Sequence, residues 1–323
     1  MRAMILAAGL GTRLRPLTLV RPKALVPVMG TPVLDYWVTQ LYEAGFEAVV
    51  VNAFHLQDEL LAAVKERTWP IPVWVEAEPV LLGTGGGVRN VLDFFENKPF
   101  AVINGDTICK IPLKELYERH LDSGAGASLL MHDFPAFNNV AVKGKKNILG
   151  FGKEAIEMDS RGADVELKAF TGIHFIDPEI LKGLSLGVPE DILTVYRKLI
   201  ADGNPPLALF HPGIFWREMG SLEAYRSLNE ELSRLSENFL PPLVTGRGVC
   251  LHPRASISSS ASLKGFVVAG EGCRVHANVV LENVILWDHV EIETGSVLRN
   301  CIVTDGMRVN GVHDNETLFQ VKK

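Results

Sequence analysis

Four basic side chains crowd into eleven residues near the N-terminus: Arg13, Arg15, Arg21 and Lys23. They follow Gly9 and Gly11, two glycines that let the backbone turn tightly and bring its N–H groups close to a ligand. The apolar run Ala3–Ala8 before them reads as a first buried strand, and Pro16 and Pro22 argue against a simple helix. A strand, a tight glycine turn and a stiff cationic loop suit an anionic ligand, phosphate above all. Two better-known glycine motifs fail here. The dinucleotide fingerprint needs a third glycine where Leu14 stands, and the Gly-Lys-Ser/Thr of a P-loop is absent.

Further candidates lie downstream. Asn104-Gly105-Asp106 ends an apolar run, and a carboxylate at a strand end beside a glycine suits a Mg²⁺ shared between protein and phosphates; a plain strand-ending turn accounts for the same residues. Leu82-Gly83-Thr84-Gly85-Gly86-Gly87 precedes a helix expected over 88–95, and free N–H groups there could hold a base or a sugar. Glu218, in Phe215–Ser221, is either a metal ligand or the acidic first-turn residue of a helix capped by Ser221.

The elements that must position these residues alternate. Strands are predicted over 48–52, 71–76, 100–104 and 127–131, and helices over 33–44, 56–65 and 113–121. Continuous apolar strands alternating with amphipathic helices call for a parallel sheet with helices on both faces, with ligands at the carboxyl ends of its strands. The three glycine-bearing segments all fall there. Beyond Asp133 the pattern loosens, with strands over 139–142, 148–152, 170–176 and 207–210 and helices over 190–201 and from Ser221. Pro241-Pro242 and Gly246–Gly248 mark a boundary. From Val249 apolar residues recur at intervals near six, at Ile257, Leu263, Val275, Leu281, Ile285, Ile292, Val297 and Ile302, which resembles a β-helix of hexapeptide repeats.

Length and composition set the frame. A chain of 323 residues allows two domains, here 1–240 and 249–323. The net charge of −6, with both signs interspersed, argues against a nucleic-acid partner. Cys109, Cys250, Cys273 and Cys301 stand singly, without a CxxC pair, which fits a reducing compartment and no zinc site. No apolar run reaches the roughly 18 residues of a membrane helix. A cytoplasmic protein without membrane contact is the expectation.

The segment LAAGLGTRLRPLTLVRPK closely resembles the signature of the sugar-1-phosphate nucleotidyltransferases, LAAG-x-GTRL-x-PLT-x-x-x-PK, matching every fixed position. The tail segment 284–303 resembles that of proteins similar to mannose-1-phosphate guanylyltransferases. The resemblance implies a Rossmann-like, doubly wound mixed α/β sheet followed by a small left-handed β-helix. It implies a Mg²⁺-dependent reaction in which an NTP and a sugar 1-phosphate give an NDP-sugar and pyrophosphate. Arg13, Lys23 and Asp106 would be catalytic, and Asp106 with Glu218 would hold the metal. Glu218 departs from the family's W-x-D-x-G-T/S pattern, which has Asp, and the second acid often found after NGD is replaced by the run TICK. Nucleotide contacts would come from Leu6, Ala7, Ala8, Gly9, Gly11, Thr12, Arg13, Lys23, Gly83, Thr84 and an acid, Glu78 or Glu76. Such an acid could accept from N1–H and N2–H₂ of guanine, which favours GTP over UTP or dTTP. Sugar contacts would come from Gly86, Asn104, Gly105, Asn139, Lys153, Thr171 and Gly172. Mannose 1-phosphate or a related sugar phosphate is the expected partner substrate, and a homo-oligomer through the C-terminal domain the expected assembly. Two rivals remain in view: the same reaction with UTP or dTTP, and a regulatory homologue that binds nucleotide sugars without turning them over.

Overall fold

The computed structural model describes residues 1–235, 244–246 and 248–321. The boundary expected at Pro241-Pro242 lies outside the described residues. Seven helices appear among them: α1 (Val33–Glu43), α2 (Gln57–Glu66), α3 (Gly83–Asn90), α4 (Leu113–Ser123), α5 (Lys153–Ser160), α6 (Ile192–Ala201) and α7 (Leu222–Arg234). Contacts gather the chain into two compact units. One holds Met1–Gly9 with Trp37–Arg217, the other Leu10–Tyr36 with Glu218–Lys323.

The first unit is built on a nine-stranded sheet: β1 (Arg2–Leu6), β2 (Ala48–Ala53), β3 (Val73–Ala77), β4 (Phe100–Asn104), β5 (Ala127–His132), β6 (Val140–Lys143), β7 (Asn147–Phe151), β8 (Glu166–Ile176) and β9 (Leu207–Leu209), in the order β3-β2-β1-β4-β8-β5-β9-β7-β6. Strands β1 to β4 are parallel. β1, β2 and β4 are buried along most of their length, while β3, at the sheet edge, is half-exposed. Their register sets Leu6 opposite both Asn52 and Asn104, and Asn52 opposite Glu76. Polar residues therefore end the strands at one level, above an apolar interior that includes Met4, Val50 and Val102. The parallel arrangement stops at β8, which runs antiparallel to β4 and β5. The sheet is thus mixed, as the resemblance implied.

Three local readings need correction. Strand β1 ends at Leu6, not Ala8, because the chain turns away to start the glycine loop. The helix expected over 88–95 is instead α3, which begins at Gly83, followed by a 3₁₀ turn at Leu92–Phe95. Helix α5 was not anticipated.

In the second unit, short parallel strands stack into a coil. Ser256 pairs with Arg274, Arg274 with Glu291, and Glu291 with Arg308, so each coil takes 17 or 18 residues. That is three hexapeptides, consistent with a β-helix. Val275, Leu281, Val284, Ile292, Leu298 and Val309 fill its interior. Beside Val297, one of the recurring apolar residues, it is Leu298 that is fully buried.

Candidate active site

In the first unit the polar residues at the strand ends are tied together. Asn52 is 2% exposed; its Oδ1 accepts from the Ala7 N–H at 2.7 Å, and its Nδ2 donates to Glu78 Oε1 at 2.7 Å. Glu78, equally buried, uses its other oxygen to accept from the Leu82 N–H at 3.0 Å. The Gly105 N–H donates to Leu6 O at 2.9 Å, so the loop after β4 is fixed to the end of β1. Gly87 makes this possible: a Cβ there would sit 2.8 Å from Glu78 Oε1 and 2.9 Å from Asn52 Nδ2. Glu78 is therefore a buried strut, not an open acceptor for a base. Glu76 is half-buried, its Oε1 facing Asn90 Nδ2 at 3.5 Å.

The glycine run also differs from the expectation of free N–H groups. The N–H groups of Gly85 and Gly86 both donate to Glu190 O, at 2.8 and 3.1 Å. Thr84 Oγ1 bridges Asp191 Oδ1 and the Ile192 N–H. A Cβ on Gly86 would lie 2.5 Å from Val188 O, so Gly86 packs against the chain leading into α6. Gly83, at φ +69, is exposed and lies within reach of the same carbonyl of Glu190.

Asn104 and Gly172 are brought together. Gly172 has φ +80, and a Cβ there would lie 2.4 Å from Asn104 Nδ2, so the Asn104 side chain occupies the space a side chain at 172 would need. Thr171, by contrast, is buried, its hydroxyl donating to Leu130 O at 2.9 Å. Its carbonyl accepts from Trp216 Nε1 at 2.9 Å. Trp216 thereby fixes the Thr171-Gly172 peptide, a role the Trp of the 215–221 segment did not disclose in sequence. Asn139 and Lys153 are exposed, and Asn139 O accepts from the Gly152 N–H at 2.7 Å, which places Asn139 beside the start of α5. Asp106 is half-buried in the turn between β4 and Thr107–Lys110.

In the second unit, Gly11 adopts φ +59 at the head of a 3₁₀ turn, Thr12–Leu14, with its carbonyl accepting from Thr18 Oγ1 at 2.8 Å. A Cβ on Gly11 would strike Thr18 Cγ2 at 2.6 Å. Arg13 follows, its side chain 71% exposed, with Nη2 3.2 Å from Glu218 Oε1. Gly220 leaves room for the pair, since a Cβ there would meet Glu218 Oε1 at 2.5 Å. Lys23 is half-buried in a second 3₁₀ turn, Lys23–Leu25. Arg21 is not a free phosphate ligand, because its guanidinium is committed to Asp288 and Asp305.

Nucleophile and base chemistry finds little here. All four cysteines are buried, and burial pushes the Cys250 thiol up to about 11 and that of Cys273 to about 12. Burial lowers His174, which is hydrogen-bonded to Tyr196, to about 3, and His120 to about 4. Among the described residues no three His, Cys, Asp or Glu side chains converge as a metal group. Mg²⁺ takes one or two carboxylates and completes its shell with phosphates and water, so a cluster of three is not required of its site. No helix among the described residues is long and apolar enough to cross a membrane.

Comparison with known proteins agrees with these features. The family described as nucleotidyl transferase matches residues 2–138, and the GMPPB C-terminal domain matches residues 245–316. A mannose-1-phosphate guanylyltransferase of Mycobacterium tuberculosis is 29% identical over 304 residues, covering 92% of this chain and 82% of the relative. A probable mannose-1-phosphate guanylyltransferase 2 of Oryza sativa subsp. japonica is 28% identical, over 94% of this chain and 86% of the relative. A UTP--glucose-1-phosphate uridylyltransferase of Synechocystis sp. is 23% identical, over 94% and 87%.

Proposed function

We propose, from the nucleotidyl transferase match over residues 2–138 and the GMPPB C-terminal domain match over residues 245–316, that this chain makes GDP-mannose or a related GDP-sugar. The substrates are GTP and a sugar 1-phosphate, mannose 1-phosphate first. The observation that carries the reading is the exposed Arg13 guanidinium, presented by the Gly11 turn and steered by Glu218 over Gly220. The names of the relatives favour guanine, and Glu76 is the acid proposed to read it.

An oxygen of the sugar phosphate forms a bond to the α-phosphorus of the nucleotide while the bond from that phosphorus to the β-phosphate oxygen breaks, and pyrophosphate leaves. The attacking oxygen is already ionised at neutral pH, so no protein group has to remove a proton. This suits a chain whose thiols are buried and whose buried histidines are neutral. Acceleration then comes from positioning and charge neutralisation. Arg13 is assigned to the departing β- and γ-phosphates, and Lys23 to the α-phosphate and the incoming sugar phosphate. Asp106 and Glu218 are assigned to Mg²⁺, which when bound spreads positive charge over the phosphates. Asn104 and Gly172, with Asn139 and Lys153, are assigned to the sugar.

The test is product identification by mass spectrometry, with Mg²⁺ and five nucleoside triphosphates, each against mannose and glucose 1-phosphates. GDP-sugar formed at the highest rate supports the reading. UDP-sugar formed fastest moves the chain to the reaction named for the Synechocystis relative. No product with any pair, together with retained binding of GDP-mannose, would support a regulatory protein.

A further inference from the structure

Arg21 lies two residues before Lys23, yet its guanidinium is turned away from any phosphate role. Its Nε donates to Asp305 Oδ2 at 2.6 Å, and its Nη2 donates to Asp305 Oδ1 at 2.7 Å and to Asp288 Oδ2 at 2.9 Å. Its Nη1 reaches Leu25 O at 3.4 Å, the last carbonyl of the turn that carries Lys23. The Trp287 ring lies 5.3 Å from the guanidinium carbon, a cation–π distance. Asp288 and Asp305 stand 17 residues apart, on successive coils of the stacked strands. The repeat thus sets two carboxylates one above the other against a single planar fork, and Asp288 is itself seated by the Glu271 N–H at 2.9 Å. Two more bonds hold the segment beyond the turn. Pro27 O accepts from Tyr225 Oη at 2.7 Å, whose oxygen accepts from Trp287 Nε1 at 2.9 Å, and the Met29 N–H donates to Asn229 Oδ1 at 2.8 Å.

We propose that Asp288 and Asp305 of the C-terminal domain are positioning residues for the transfer reaction, acting through Arg21 to fix the turn that presents Lys23. The inference rests on the function proposed above. Arg21, Leu25 O, Pro27 O and Met29 N bracket Lys23 on both sides, so its backbone is held by the C-terminal coil and α7. A reaction that works by placement is sensitive to that hold, because an ångström of misplacement costs on the order of 10²-fold in rate. The sequence alone counts Arg21 among the phosphate-facing cations; the structure gives it to the neighbouring domain.

The experiment compares wild type with the triple variant Arg21→Met/Asp288→Asn/Asp305→Asn, which removes all three charges together and leaves none stranded, and with Asp305→Asn alone. Arg21→Lys is added because a lysine keeps the charge but lacks the fork that reaches both carboxylates and the carbonyl. Each is assayed for kcat and KM at a temperature well below every Tm, and by amide hydrogen exchange. Expected is a fall in kcat of about 10²-fold in the triple variant, a smaller fall in Asp305→Asn and Arg21→Lys, and a KM for GTP that moves far less than kcat. Exchange should quicken across 12–26 but not across β4. Wild-type kcat in the triple variant, or unchanged exchange across 12–26, would overturn the proposal. Should the triple variant not fold, Asp305→Asn carries the same readouts. Should wild type transfer no nucleotide at all, the reaction reading fails on its own, and the exchange result alone decides whether Arg21 anchors the Lys23 turn.

Discussion

Glu78 shows how one residue changes meaning between sequence and structure. As a letter it is an acid before a glycine run, equally fit to read a base or to do nothing. Folded, it is 2% exposed and spans Asn52 and the Leu82 N–H, and through Asn52 it reaches the Ala7 N–H at the root of the signature loop. No spacing rule announces a partner 26 positions away, so this role was not legible. The consequence is testable at Gly87, whose missing Cβ lets the two polar groups meet. Gly87→Ala should cost about 1–3 kcal/mol by forcing them apart. It should also lower kcat/KM by about tenfold by disturbing the loop root. Denaturant unfolding and steady-state rates would check both effects, and wild-type values in both would remove Asn52 and Glu78 from the account. Asp106 and Arg13 stand out in the sequence as candidates because glycines close by, Gly105 and Gly11, mark turns there.

At the scale of elements, period decides what can be read. Helix α7 was visible from Leu222, Tyr225, Leu228 and Leu232, and from Ser221, whose hydroxyl accepts from the Ala224 N–H at 3.2 Å. Ser221→Ala should therefore lower stability by about 1 kcal/mol. Helix α3 was misplaced because four of its first five residues are glycine, poor helix formers that no propensity argument would choose. The reason for them lies outside the helix: the carbonyls of Val188 and Glu190 pack where side chains would stand. Gly86→Ala should cost about 1–3 kcal/mol through overpacking, read as a lowered Tm. A Tm equal to wild type would mean that the chain before α6 yields freely. Strand β8 was shortened in the sequence reading because its first residues are polar or half-buried and carry no strict alternation.

For the whole molecule, the fold class was legible from the alternation of strands and helices and from the hexapeptide texture. The grouping of Leu10–Tyr36 with the C-terminal coil was not, since it brings together residues as far apart in the chain as Arg21 and Asp288 or Asp305, 267 and 284 positions on. Two buried histidines set a global pH dependence. His120 and His174 are lowered to about 4 and about 3 by burial, from 6.5. Between those values and 6.5 the unfolded chain binds protons that the folded chain refuses. Stability is therefore complete above pH 6.5 and declines as pH falls, by about 1.4 kcal/mol per pH unit for each histidine. Unfolding free energies at pH 7 and pH 5 measure this. His174→Phe, which removes one of the two groups, should flatten the dependence, and an unchanged slope would contradict the assignment.

Arg13, on its glycine turn, is assigned to neutralising the departing phosphates in a reaction that needs no protein base. The measurement that tests it most directly is the kcat for pyrophosphate release from GTP and mannose 1-phosphate, wild type beside Arg13→Ala. A loss of about 10²-fold or more is expected in the variant, with its Tm unchanged because Arg13 is largely exposed. Turnover in Arg13→Ala close to that of wild type would contradict it.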